Sequence, residues 1–217
     1  FLQARKVTID SRKIESNDIF FAFSGENFNA ATLAEKAADL GALAVIVEDQ
    51  AFENTARNIF FVPSTLEFLQ ELAIHHRNQL KIPFIALTGS NGKTTVKDMI
   101  YHLLKSKYKG KKTEGNYNNH IGLPFTLLCS EVEDEFIILE MGMSDFNEID
   151  LLGQISSPNI SVITNIGESH LEFLKTKENV FKAKTEIIPY IKETLIINGD
   201  DEYLRNVVSD KIRIIKN

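Results

Sequence analysis

Short apolar runs alternate with stretches of helical period along almost the whole chain, and this alternation restricts the fold more than any other feature. The runs are "KVTID", "DIFFAF", "LAVIVE", "NIFFVP", "FIALTG", "FIILEMG", "ISVITNIG", "TLIING" and "IRII". Each has strand length, and the segments between them carry helix signals. Residues 32–40 open with Thr32 and Glu35 at capping-box spacing, and Ser64 with Glu67 repeats that signature ahead of 65–79. Such alternation predicts an α/β fold with a largely parallel sheet. After "QLKIP" at 79–83 the runs become more continuously apolar, as in strands covered on both faces. We therefore expect a small N-terminal α/β domain over 1–81, then an incomplete, doubly wound, mostly parallel domain over 82–217.

With 217 residues, 43% apolar and 25% charged, the chain can bury a sizeable core. A net charge of −6 offers no basic field for nucleic acid, which excludes a general nucleic-acid binder. The one basic cluster, five lysines within Lys105–Lys112, reads as a solvated helix end and turn. The single cysteine, Cys129, cannot form an internal disulfide and fits a reducing compartment. Within "LPFTLLCS" it reads as a buried structural thiol. No stretch approaches the ~18 apolar residues of a membrane span, and the start shows no signal peptide, so a cytoplasmic location is expected. Opening on Phe1 and stopping at "IRIIKN", the chain reads as a piece of a longer protein.

The stretch "ALTGSNGKTT", residues 86–95, looks like a phosphate-binding loop two residues short. Only Ser90 and Asn91 separate Gly89 from Gly92, and Leu87 stands where the first glycine of the longer pattern falls. Strand "FIAL" leads in, and Val96, Met99, Ile100, Leu103 and Leu104 mark an amphipathic helix leading out. Amides at that helix start would face an anion, Lys93 would reach the outer phosphates, and Thr94 would offer a hydroxyl to magnesium. A plain glycine turn with an exposed lysine is the competing reading; the flanking strand and helix and the doubled Thr94–Thr95 favour phosphate.

Other runs end in polar groups: "FIIL" at Glu140, "ISVIT" at Asn165 with Glu168 and His170 beyond, "TLII" at Asn198 with Asp200 and Asp201. In a parallel sheet these ends share one edge with the glycine loop, where ligands of open α/β sheets bind. Glu140 is expensive to bury without a cation, and a magnesium ion shared with Thr94 would satisfy it. His170 alone reads as a loop residue or as a ligand to a second ion. In the helical segment 177–190, Lys184 falls within the apolar stripe of Val180 and Ile188. It either snorkels to solvent or is desolvated into a reactive amine.

"TGSNGKTT", "EGNYNNHIGLPFTLL", "LEMGMS", "ITNIGESHLEFL" and "AKTEI", in that order, resemble the ATP-binding part of the Mur ligases. "TIDSR" and "DIFFAFSGENFN" resemble the same family's N-terminal, UDP-sugar-binding domain. The resemblance is strongest to the branch that adds D-alanyl-D-alanine to UDP-N-acetylmuramoyl-tripeptide during peptidoglycan precursor synthesis. It implies an ATP-dependent amide-bond ligase, magnesium-dependent, monomeric and cytoplasmic, working through an acyl phosphate; in this family the short loop is the normal form. By that resemblance Thr88, Gly89, Ser90, Asn91, Gly92, Lys93, Thr94 and Thr95 bind ATP, and Thr94 and Glu140 hold one magnesium ion. His170 and Lys184 serve a second, Lys184 as a carbamate; the catalytic set is Lys93, Glu140, His170 and Lys184. The fourteen-residue spacing from His170 to Lys184 matches that of the diaminopimelate-adding sibling and favours Lys184 over Lys182. Asn118 and Asn119 would line the substrate or nucleotide cleft, and Ser11 and Arg12 would contact the UDP-sugar.

Two departures stand out. Ala30 and Ala31 replace the glycine and frequent histidine that follow "GENFN" in the family, which puts UDP contacts there in doubt. The family also has a C-terminal domain that binds the incoming amine, so residues 1–217 alone are not expected to ligate. The alternatives are a sibling adding another amino acid, a folate-type polyglutamate ligase, or a nucleotide-binding module without chemistry; "TIDSR" and "NYNNHIG" weigh against the folate reading.

Overall fold

The computed structural model describes residues 4–25 and 28–216, so Glu26 and Asn27 of the "SGENFN" run lie outside the described residues. The strands are β1 (Val7–Thr8), β2 (Ile19–Phe21), β3 (Ala44–Val47), β4 (Ile59–Phe61), β5 (Phe84–Thr88), β6 (Gly110–Lys112), β7 (Phe136–Glu140), β8 (Ile160–Ile163), β9 (Thr194–Ile197) and β10 (Arg213–Lys216). The α-helices are α1 (Ala34–Asp39), α2 (Thr65–Gln79), α3 (Lys93–Leu104), α4 (Gly122–Leu128), α5 (Glu148–Ser156), α6 (Leu171–Leu174) and α7 (Lys177–Thr185). Two compact units divide between Leu72 and Ala73, inside α2.

In the first unit β1–β2–β3–β4 form a parallel sheet in sequence order. Phe20, Val45, Val47 and Ile59 pack against Ala30, Ala31, Ala34 and Ala37, whose small side chains let the helical segment lie close to the sheet. Ala30 and Ala31 are thus core residues. The capping signal at Thr32 is misplaced: the turn Ala30–Leu33 is capped three residues earlier, where the Asn29 side chain accepts from the Ala31 amide. The second capping signal is met, with Ser64 Oγ accepting from the Glu67 amide at 3.2 Å.

In the second unit six parallel strands run in the order β10–β9–β8–β5–β7–β6. Sequence order reverses at β5, which pairs with β7 on one side and β8 on the other. This switch point opens a crevice at the carboxyl ends of the strands. Helix α3 covers Ile85, Leu87, Phe136 and Ile138 with Val96, Ile100, Tyr101 and Leu104.

Three expectations are corrected. Met99 and Leu103 lie on the solvent side of α3, 60% and 70% exposed, while Lys97 takes a buried position on its inner side. The end of the lysine run forms edge strand β6, not a turn; Lys111 pairs with Glu131 and Lys112 with Asp98. Charged side chains of this kind suit an edge strand, since they deter further pairing. Cys129 is exposed, because it stands at the C-cap of α4 just past the fully buried run Gly122–Leu128.

Candidate active site

The loop from Gly89 to Gly92 joins buried β5 to α3 at the switch point. Gly89 has φ +148°, and a Cβ there would stand 1.9 Å from Thr164 Oγ1. Gly92, at φ +79°, is the N-cap of α3. Lys93 opens the helix and turns its ammonium back onto the Gly89 carbonyl at 2.8 Å. Burial pulls its pKa below the ordinary lysine value, with Glu140 opposing.

The segment after β8 forms a second wall. The Ser90 and Asn91 amides donate to the Asn165 backbone and side-chain oxygens, each at 3.0 Å. Thr164 Oγ1 donates to the Asn91 carbonyl at 2.6 Å, and the Gly167 amide donates to Ser90 Oγ at 2.8 Å. Those two loop amides are therefore occupied. The donors left facing the crevice are the first N–H groups of α3, which a helix does not satisfy internally. Thr88 is buried, whereas Thr94 and Thr95 are exposed on the first turn.

Glu140 ends β7 with its carboxylate 4% exposed. Its Oε2 accepts from Thr94 Oγ1 at 2.9 Å and its Oε1 from Asn118 Nδ2 at 3.0 Å, while its amide donates to Thr113 Oγ1. Lys97 Nζ stands 3.4 Å from Oε2. The sequence reading missed Lys97; its signal was a lysine four residues after Lys93, between Val96 and Ile100. Among the described residues no group of three His, Cys, Asp or Glu side chains could hold a metal. The Thr94–Glu140 pair instead offers two hard oxygens, the donor type magnesium takes when phosphate and water complete its shell.

Lys184 is 2% exposed on α7, with no hydrogen-bond or ion-pair partner for its amine among the described residues. Burial, reinforced by Lys93, pulls its pKa down to about 7. Its stem is packed in the interior, whereas Lys182 on the outer face pairs with Glu178. His170 sits exposed at the N-cap of α6 with φ +58°. Its pKa is lowered by burial and then by Lys184 and Lys93, with Glu148 opposing. Lys93, His170 and Lys184 thus act on one another electrostatically at the same sheet edge.

Asn118 reaches the centre of the site through Glu140. Asn119 braces the turn before α4, its Oδ1 accepting from the Ile121 and Gly122 amides, and also borders a cavity of about 230 Å³ with Phe146 and Leu151. Asp201 is a brace: its carboxylate accepts from the Ile166, Tyr203 and Leu204 amides. In the first unit Ser11 and Arg12 lie on a short turn, where the Arg12 guanidinium holds the Asp10 carboxyl at a pKa of about 2.

Comparison with known proteins places this arrangement. The Mur ligase middle-domain model matches residues 87–216, and the model described as the Mur ligase family catalytic domain matches 3–77. The UDP-N-acetylmuramoyl-tripeptide–D-alanyl-D-alanine ligase of Bacillus subtilis is 44% identical over 207 residues, covering 94% of this chain and 45% of that protein. The MurF ligase of Thermotoga maritima in complex with ADP superposes with a TM-score of 0.88 at 33% identity, covering 99% of this chain and 50% of the other. MurF from Acinetobacter baumannii gives a TM-score of 0.87 at 31% identity, over 98% and 48% of the two chains. The chain spans about half the length of the relatives it matches. No helix among the described residues is long and apolar enough to cross a membrane. With both family models matched in order and the glycine loop, Glu140 and Lys184 on one sheet edge, the chain belongs to the Mur ligase family.

Proposed function

We propose that the protein containing this chain is a monomeric, cytoplasmic, ATP-dependent ligase that joins D-alanyl-D-alanine to UDP-N-acetylmuramoyl-tripeptide. The observation that carries the reading is the Thr94 hydroxyl on the Glu140 carboxylate, 2.9 Å apart, beside a glycine loop whose lysine turns back onto the Gly89 carbonyl. The choice of substrates rests on the 44% identical relative. Residues 1–81 serve as the UDP-sugar domain, with Ser11 and Arg12 as contacts, and 82–217 as part of the ATP domain.

ATP would displace the Gly89 carbonyl from Lys93, which then faces the β- and γ-phosphates, while the α3 amides cradle them. Thr94 and Glu140 would hold one magnesium ion, and His170 and Lys184 would serve a second. Lys184 acts as a carbamate: its neutral Nζ bonds to the carbon of CO2 and one proton leaves to water. Bound there, magnesium would supply positive charge to the transferring phosphoryl group, which two meeting anions require. A substrate carboxylate oxygen attacks the γ-phosphorus and ADP leaves. The amine of D-alanyl-D-alanine then attacks the acyl phosphate carbon, and phosphate departs with the substrate oxygen. Asn118 keeps Glu140 oriented.

The test is to incubate the full-length protein with ATP, magnesium, the tripeptide precursor and D-alanyl-D-alanine. One ADP per amide bond is the expected result. Phosphate release that ignores D-alanyl-D-alanine, or product formed without ATP, would overturn the reading.

A further inference from the structure

Lys97 has no role in the scheme above, yet it is 2% exposed, and a lysine this buried calls for a partner. Its side chain cannot snorkel, being 3% exposed, and two carboxylates lie near it. Asp98 stands 3.8 Å away, half exposed, and is already held by Lys112 at 2.8 Å. Glu140 is nearer, at 3.4 Å, and as buried as the lysine itself. Thr94 and Lys97 lie three residues apart on α3, hence on one face, and both reach the same oxygen, Glu140 Oε2. Asn118 holds the other oxygen from the opposite side. The carboxylate is therefore fixed at three points, two of them delivered by the helix that also carries the phosphate loop.

The geometry points to Lys97 as a positioning residue, whose buried ammonium sets the Glu140 carboxylate against Thr94, the pair that would hold magnesium beside a nucleotide. This rests on the phosphate-site reading above. The Lys97 amine stands against Asp98 and Glu140, so its influence on the site would run through Glu140. Groups that orient a metal ligand matter to the metal nearly as much as the ligand.

The experiment measures ADP affinity by calorimetry in magnesium and in EDTA, for the unaltered protein and for Lys97→Met and Lys97→Arg. The unaltered protein should bind ADP more tightly with magnesium, and Lys97→Met should lower that ratio about tenfold or more. Lys97→Arg should recover part of it. An unchanged or larger ratio in Lys97→Met would overturn the assignment while leaving the phosphate site standing. If the unaltered protein shows no magnesium dependence, both fail. Should Lys97→Met fold poorly, the double variant Lys97→Met, Glu140→Gln should melt higher than Lys97→Met, because no buried charge is left unpaired. No recovery would contradict the ion pair.

Discussion

Gly89 and Thr164 approach so closely that no side chain fits between them: a Cβ on Gly89 would lie 1.9 Å from the threonine hydroxyl, which itself donates to Asn91 at 2.6 Å. The contact joins the two walls of the crevice, the loop after β5 and the segment after β8. Gly89→Ala should cost at least about 1–3 kcal/mol from backbone strain alone, more with the overlap, and should abolish nucleotide binding. Adding Thr164→Ala should restore part of the stability in urea denaturation but not the strained φ. A Gly89→Ala protein with full stability and ADP affinity would contradict this packing.

Lys184 gives a pH signature. Its pKa of about 7 means that the neutral amine grows as pH rises through neutrality. With 13C-bicarbonate, a carbamate resonance should strengthen between about pH 6 and about pH 8 and be absent in Lys184→Met.

The same shift sets a stability trend. The unfolded chain holds a proton on this lysine up to about 10.5, whereas the folded protein releases it near 7. Lys184 therefore costs the fold most below about pH 7, and the cost fades as pH climbs toward 10.5. Lys184→Met should melt above the unaltered protein at acidic pH and lose that advantage in alkali. A difference independent of pH would contradict a buried, unpaired amine.

How much of this could be read from the sequence depends on what kind of signal each residue leaves. The strand–helix alternation, the glycine loop and the carboxylate ending β7 are visible because periodicity and turn chemistry record them directly. Lys184 was visible for the opposite reason, as a charge interrupting an apolar stripe. Lys97 was not, because the stripe drawn through Val96, Met99, Ile100, Leu103 and Leu104 left it on the outer face; that stripe placed Met99 and Leu103 inside, where the structure has them 60% and 70% exposed. Strand β6 escaped because two of its three residues are lysines on an exposed edge. The brace between Ser90 and Gly167 spans residues far apart in sequence, and no local pattern reports such pairing.

Arg77 anchors the opposite end of the sheet. Its guanidinium donates to the Ser156 and Ser157 carbonyls at 2.6 and 2.7 Å and lies 4.0 Å over the Phe84 ring. Arg77→Met strands the last carbonyls of α5 and should cost about 3 kcal/mol in denaturant unfolding. Arg77→Lys should recover little, because an ammonium lacks the planar fork that serves both carbonyls. An unchanged unfolding midpoint in Arg77→Met would show that these bonds contribute nothing net.

The central claim is that the loop at Gly89, with Lys93, Thr94 and Glu140, serves to activate a carboxylate with ATP. Its most direct measurement follows oxygen through the full-length enzyme, using a tripeptide precursor whose terminal carboxylate carries 18O at both oxygens. An acyl phosphate requires one labelled oxygen to leave on the released phosphate for each amide bond formed. Phosphate free of label, with amide product accumulating, would contradict the account.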